Sequence, residues 1–456
     1  MKAEDIIATV LLSLDSCKGN VAQFKQMVLR SEYSPMRGNF SRTLVWKVCL
    51  ITDSLDIKTW ESKLGDTRVV WHELSTRADL VVPWHRLPSD STFYIDKFRT
   101  PVKRNPSTMK MGKTNLTRVS CDSDPLSLSR SPSPGPKLRF SDEDVDLLST
   151  IIVDIDRLFP GVPFFNSEGS IKYKRMLIHL LYVWSKCNSN VGYKQGFHEV
   201  MGLILVNLYR ESVEVPLDKV TGNDRKILSM YNRKYLAHDV FTCFNRFVVE
   251  GGIIGSYYES EPALWQAIDK FNVQLMKVDQ VIHYHLISKL KLESQLWIIR
   301  FFRLLLLREV GELATASSVW DRMIAAKSLG ASLPDLINFM VISLLIQVKT
   351  QLVVGDFSES LSLLLHYPIE QRTSPPHSRY EFVHNLISDG YTLYQVRDDD
   401  LALYETGNKL NAKHNPDLKI TMSYGSSSPK NDQLQFEKTR LEMRLKKKAQ
   451  AMTKPQ

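Results

Sequence analysis

The 456-residue chain is 43% hydrophobic and 10% aromatic, an ordinary globular profile that argues against collagenous, low-complexity and membrane-embedded classes. Its formal net charge of +9 sits in two stretches: residues 97–140 hold ten basic and two acidic side chains and residues 406–456 hold eleven and four, so the rest of the chain is net acidic and offers no nucleic-acid face. The five cysteines, Cys17, Cys49, Cys121, Cys187 and Cys243, are widely spaced, which argues against a zinc site or disulfide framework and fits a reducing cytosol.

In chain order, Ile6 to Leu14 follows Glu4 and Asp5 rather than a basic stretch, so it reads as an amphipathic helix and not a secretory leader. Between Phe98 and Lys137 the chain strings together Pro, Ser, Thr, Lys and Arg, ending in Ser131-Pro132-Ser133-Pro134-Gly135-Pro136, which predicts a disordered surface insertion over about 98–138. Ser141 then caps a helix with Asp144 three residues on, and Val145, Leu148, Ile152, Ile155 and Phe159 recur at spacings of three and four until Pro160 ends it. Further helical periodicity runs over Ile171 to Trp184, His198 to Tyr209, Leu236 to Phe247, Val278 to Leu290, Gln295 to Leu307 and Leu333 to Val348. Arg300 and Arg303 interrupt one of these and another ends by Gln347, so neither is long enough to span a bilayer. Few stretches alternate like strands, and the fold class read from this pattern is all-α, a right-handed stack of packed helices. Past Gly407 the chain turns polar and basic, with a charged helix expected from Gln433 to Lys448.

Two features stand out as candidates for chemistry. At about 100° per residue, Arg157 lies almost opposite Ile155 and is therefore exposed at the helix end, with Asp154 on nearly the same face to hold its guanidinium. Taken alone, this is a surface ion pair where a helix C-terminus already favours a cation. The second is Cys187 to Gly192, which breaks one helix, followed by Tyr193-Lys194-Gln195-Gly196 leading into the next. Gln195 projects from a loop braced by an aromatic, and Gly196 permits a tight bend or a close approach. By itself this too reads as an ordinary helix start.

In combination, the motifs resemble the TBC domain of Rab GTPase-activating proteins. The family's I-x-x-D-x-x-R followed by T-F-P is matched by Ile151-Ile152-Val153-Asp154-Ile155-Asp156-Arg157 and Leu158-Phe159-Pro160, and its Y-x-Q-G by Tyr193-Lys194-Gln195-Gly196. Its R-W-x-R-L-L-F-x-R-E-F stretch leading to W-D is matched by Arg300 to Val310, including Arg303, and then by Trp320-Asp321. Arg42 to Leu50 looks like the opening R-x-x-x-W-K segment. Tyr235 to Phe241, Asp124 to Ser127 and Gly196-Phe197-His198-Glu199 resemble the branch that includes fungal activators of a Golgi Rab. Ordered motifs carry more weight jointly than singly. Departures fall on packing positions: Leu158 stands for Thr, Phe197 for Met, Phe301 for Trp and Val310 for Phe.

The resemblance covers a TBC domain over 36–370 with a smaller insertion at about 211–233; around it the chain reads as an N-terminal helix in 1–35, a helical completion over 371–405 and a basic, mostly disordered tail over 406–456. The resemblance implies that the chain accelerates GTP hydrolysis by a Rab/Ypt GTPase, with Arg157 and Gln195 as fingers and Asp154, Tyr193, Gly196, Arg303, Trp320 and Asp321 in support. No cofactor of its own is expected, since the partner brings GTP and Mg²⁺. The partner implied is a GTP-bound Rab of the Golgi or endosome-recycling pathway, and the setting is cytoplasmic and peripheral to those membranes. The basic tail, with Leu434, Leu441 and Leu445 beside Lys438, Arg440, Arg444 and Lys446 to Lys448, is a candidate for weak contact with an acidic membrane surface. A non-catalytic TBC scaffold that binds a Rab or a membrane coat is the alternative. Gly112-Lys113-Thr114 lacks the preceding glycine of a phosphate-binding loop, because Ser107 stands there, and His283 and His285 are two apart and face apart.

Overall fold

The computed structural model describes residues 2–35, 38–95, 141–370, 376–418, 420 and 429–453. The insertion expected at about 98–138 lies outside the described residues. Among the described residues the architecture is all-α; strand-like pairing is limited to an isolated bridge between Val213 and Asn232. None of these helices is long and apolar enough to cross a membrane.

Helices α1 (Ala3–Ser16) and α2 (Val21–Leu29) occupy the N-terminal segment, where one helix was expected; Lys18 and Gly19, with φ of 48° and 67°, turn the chain between them. Next come α3 (Arg42–Lys47) and α4 (Ile57–Thr76). The chain resumes in α5 (Asp142–Asp156), the single turn α6 (Pro163–Asn166), α7 (Ile171–Cys187), α8 (Phe197–Glu211), α9 (Gly222–Tyr231) and α10 (Leu236–Phe244). Beyond these run α11 (Ile253–Tyr257), α12 (Glu261–Val278), α13 (Gln280–His283), α14 (Gln295–Arg303), α15 (Leu313–Ser328), α16 (Leu333–Gln347), α17 (Lys349–Val354) and α18 (Phe357–Leu365). Three further helices span Pro376–Gln395, Asp400–His414 and Pro429–Thr453.

Local chemistry accounts for the elements that matter here. Helix α5 starts in a capping box: Ser141 Oγ accepts from Asp144 N, and the Asp144 carboxylate accepts from Ser141 N. Leu148, Ile151 and Ile155 bury its inner face, and the helix packs on α7. Helix α16 is buried on all sides from Leu336 to Gln347, the signature of an interior helix, and it packs against Pro376–Gln395, α12 and α15.

Within the segment 211–233, α9 buries Ile227, Leu228, Met230 and Tyr231 and packs on α4 and α1. Two expectations are corrected. The helix expected to run from Gln295 to Leu307 stops at Arg303, since Leu305 and Leu306 take left-handed φ of 53° and 62°. The segment 406–456 is not mostly disordered: the Asp400–His414 helix carries order well past residue 405, and Pro429–Thr453 is a helix docked on the body. Its Phe436 is buried in a small second core with Val281, Val353 and Ile420. Arg440 donates through Nε to the Val353 carbonyl at 2.9 Å and through Nη2 to the Gly355 carbonyl at 3.0 Å, satisfying the end of α17. His285 lies fully buried with its ring centroid 5.8 Å from that of Phe436, and burial pushes its imidazole down to about 4.

Two buried carboxylates tie distant helices together. Asp321 accepts Arg42 Nε and Nη2 at 2.8 and 3.0 Å and Trp46 Nε1 at 2.7 Å, joining α15 to α3. Asp239 accepts Lys47 Nζ at 2.6 Å and Arg68 Nε and Nη2 at 2.8 and 2.9 Å. Burial alone would raise the Asp239 carboxyl; the two cations outweigh it and hold the group below the usual carboxylate range. Asp239→Ala strands two buried cations, so urea unfolding should show a loss of about 3–5 kcal/mol. A loss under about 1 kcal/mol would mean that water reaches Lys47 and Arg68.

Candidate functional site

Helix α5 ends at Asp156, and Arg157 takes its C-terminal cap position. The chain then turns through Phe159, held at φ +42°, a left-handed conformation for a bulky residue. Asn166 Nδ2 stabilises that turn, lying 2.9 Å from the Phe159 carbonyl, 3.1 Å from Pro160's and 3.0 Å from Val162's. Helix continuation is blocked, and the Arg157 side chain is left 59% exposed. Its Nη2 donates to Asp154 Oδ1.

Asp154 differs from the expectation that it would share Arg157's exposed face: its side chain is only 5% exposed. The reason is a partner 39 positions away. Tyr193 Oη donates to Asp154 Oδ2 at 2.8 Å. Since that hydroxyl proton is engaged, His198 Nδ1, 3.0 Å from Tyr193 Oη, is the donor in their contact, which assigns the Nδ1–H tautomer from the network. Burial lowers the His198 imidazole despite the nearby Asp154 and Glu199 charges, keeping it neutral. Burial and the Asp154 carboxylate together push the Tyr193 hydroxyl far above its ordinary value, so it stays a donor. The chain in which His198 donates to Tyr193 and Tyr193 donates to the accepting Asp154 carboxylate thus braces Arg157 from beneath.

The loop ahead of α8 presents Gln195 exposed, and its amide makes no hydrogen bond among the described residues. Gly196 sits at φ +107°, and a Cβ there would lie 2.9 Å from Leu304 Cδ2 and 3.6 Å from Tyr258 Oη. Glycine is therefore required both by the backbone angle and by the space. Arg303 supports this wall from behind: its Nε donates to the Tyr257 carbonyl at 3.0 Å, its guanidinium lies 5.1 Å from the Tyr258 ring centre, and Tyr258 Oη donates to the Arg303 carbonyl at 2.7 Å.

Arg157 and Gln195 line one open cleft of about 460 Å³, whose walls include Phe159, Glu199, Leu307 and Arg308. Of the residues singled out by motif, Asp154, Tyr193 and Gly196 lie under or beside this cleft. Trp320 and Asp321 do not line it. Asp321 belongs to the buried hub with Arg42 and Trp46, and Trp320 Nε1 donates to the Leu305 carbonyl at 2.9 Å, holding the left-handed turn after α14. His198 and Arg308 were quoted within motifs but not singled out, because their roles depend on partners that no local spacing reveals. The cleft offers a braced guanidinium and a free carboxamide. Such a pair donates hydrogen bonds to developing charge and orients a neutral nucleophile, and it supplies no nucleophile of its own.

A family model described as the Rab-GTPase-TBC domain matches residues 124–352. TBC1 domain family member 5 of Mus musculus is 24% identical over 298 residues, 57% of this chain and 35% of that protein. The Homo sapiens protein of the same name is 24% identical over 250 residues, 50% of this chain and 30% of its own length. The chain thus spans about a third of the length of these curated relatives. Among solved structures, the Ypt/Rab-GAP domain of Gyp1p superposes with a TM-score of 0.57 at 16% identity, covering 86% of this chain and 99% of that one, which is a likeness of fold.

Proposed function

The chain belongs to the Rab-GTPase-TBC domain family, and from that premise we propose that it is a GTPase activator that supplies Arg157 and Gln195 in trans to a GTP-bound Rab/Ypt partner. The observation that carries this reading is the cleft shared by an exposed, carboxylate-braced Arg157 and an exposed, uncommitted Gln195. Hydrolysis places new charge on the transferring phosphoryl and leaving oxygens, and a guanidinium fork entering the partner's site neutralises it. Gln195 takes the second task, orienting the attacking water. Asp154 fixes the fork's direction, and Tyr193 and His198 fix Asp154. The activator needs no cofactor, since nucleotide and Mg²⁺ come with the partner.

The test is single-turnover hydrolysis on a panel of GTP-loaded Rabs from one organism. Acceleration of at least one member is expected. A chain that binds a GTP-loaded Rab tightly without accelerating hydrolysis would instead be a scaffold for a Rab or a membrane coat. On this reading the partner is a Golgi or endosomal Rab and the protein acts at the cytoplasmic face of those membranes, which the likeness of Gly196-Phe197-His198-Glu199 to that family branch supports.

Membrane contact through the C-terminal helix fits this setting. Phe436 and Arg440 face the body, which leaves Leu434, Leu441 and Leu445 outward at 69%, 58% and 60% exposure, with Lys438 in the same row. Truncating this helix would uncover the small core under Phe436, so Leu434→Ser, Leu441→Ser and Leu445→Ser combined is the cleaner probe. Hydrolysis by soluble Rab should be unchanged, while hydrolysis by Rab tethered to acidic liposomes should fall several-fold. Equal activity of the triple variant on both substrates would remove the membrane role.

A further inference from the structure

The turn that follows α14 is built at a conformational cost. Leu305 and Leu306 both hold left-handed φ, a strained conformation for residues that carry a side chain. Both are fully buried. Trp320 Nε1 grips the Leu305 carbonyl, and Leu306 N donates to the Phe301 carbonyl at 3.0 Å. Two residues later the chain delivers Arg308 into the wall of the cleft that holds Arg157 and Gln195.

Arg308 is fixed there by one edge of its guanidinium. Nε donates to Glu199 Oε2 at 2.9 Å and Nη2 to Glu199 Oε1 at 2.7 Å, and the Glu199 side chain is only 8% exposed, in the first turn of α8. The hydrogen bonds to Glu199 push the guanidinium further above its ordinary value. The Arg308 side chain remains 55% exposed, and Nη1 makes no hydrogen bond among the described residues. An arginine side chain presents two paired-donor edges, Nε–Nη2 and Nη1–Nη2; with the first on Glu199, the second is open to the cleft.

We propose that Arg308 docks an acidic side chain of the partner GTPase, so that it sets affinity and partner choice rather than the chemical step. The inference rests on the activator reading of the same cleft. Apolar Leu307 and Leu313 share this wall, giving the setting in which an arginine anchor at a protein interface is effective. A preorganised guanidinium with one free edge receives a planar carboxylate bidentately and loses little side-chain freedom in doing so. The phosphoryl charge is already served by Arg157, whose side chain is held at Asp154 and otherwise free to reach outward.

The experiment uses the full chain with Arg308→Ala and the double variant Arg308→Ala with Glu199→Gln, on the best Rab of the panel. Two quantities are read: equilibrium binding to Rab loaded with a non-hydrolysable GTP analogue, and single-turnover hydrolysis across activator concentration. Arg308→Ala should weaken binding about tenfold and shift the half-saturating concentration equally, with the maximal rate within about twofold of the parent. The double variant should be as weak as the single one, because the contact to the partner is still missing. Three results overturn the proposal: restored binding in the double variant, which makes Arg308 a mask for the buried Glu199 charge; a fall in maximal rate without weaker binding, which puts it on the nucleotide; and parental behaviour throughout. Since binding is read directly, a chain that binds but accelerates no Rab defeats the activator reading alone. If no Rab in the panel binds, both fall.

Discussion

Arg157→Ala is expected to lower the maximal rate at which the chain stimulates GTP hydrolysis by its Rab by three orders of magnitude or more, taking it close to the partner's own slow turnover. An arginine supplied in trans is worth roughly 10³–10⁵ in rate, because it meets charge that appears only in the transition state and in a site emptied of water. Arg157→Lys should be nearly as inactive, since an ammonium cannot present a planar fork to two phosphate oxygens at once. Binding of the GTP-loaded partner should change far less than the rate, as expected for an interaction realised in the transition state. Folding should survive both changes. Removing the guanidinium takes one donor from Asp154, but Tyr193 still donates to its other oxygen at 2.8 Å, so a loss of about 1–2 kcal/mol in urea unfolding is expected. A near-parental rate for Arg157→Ala on the best Rab would show that the finger lies elsewhere.

The same residues show how much of this protein was legible in its sequence. Helix α5 was readable at its start, a local box between Ser141 and Asp144, but it stops at Asp156, short of the end expected at Pro160, because Phe159 takes a left-handed φ. The exposure of Arg157 followed from the helical period alone. The burial of Asp154 did not: on the helix wheel it shares Arg157's outward side, and Tyr193, arriving from the loop between α7 and α8, covers it. The turn after α14 was missed for a similar reason. Leu304 to Leu307 is an apolar run with high helix propensity, and its left-handed bend is imposed by Trp320, which lies 15 residues downstream of Leu305. In the C-terminal segment, composition spoke for solvation, while one aromatic and one arginine decided the outcome: Phe436 fills the small core and Arg440 satisfies carbonyls at the end of α17. Such long-range polar pairings leave no periodic trace, so motif order located the cleft while its bracing stayed invisible.

Gln195→Ala should produce the second large loss, on the order of 10²–10³ in maximal rate, in the range seen when a positioned transition-state donor is removed. The argument starts from what holds Gln195 in place. Gly196 at φ +107° approaches Leu304 so closely that no side chain fits between them, so the loop ahead of α8 has one available path. Behind it, Arg303 and Tyr258 close the wall through hydrogen bonds of 3.0 and 2.7 Å. The backbone is thus anchored at 196 while the carboxamide one residue earlier is solvated and unpaired among the described residues, ready to donate to a phosphate-proximal water and to accept from it. Because this role exists only as water attacks, Gln195→Ala should weaken binding to Rab·GDP carrying a transition-state mimic such as aluminium fluoride much more than binding to Rab loaded with a non-hydrolysable GTP analogue. Comparing the two affinities for parent and variant measures the difference directly. Equal weakening of both complexes would make Gln195 a docking residue, and the orientation of water would then have to come from the GTPase itself.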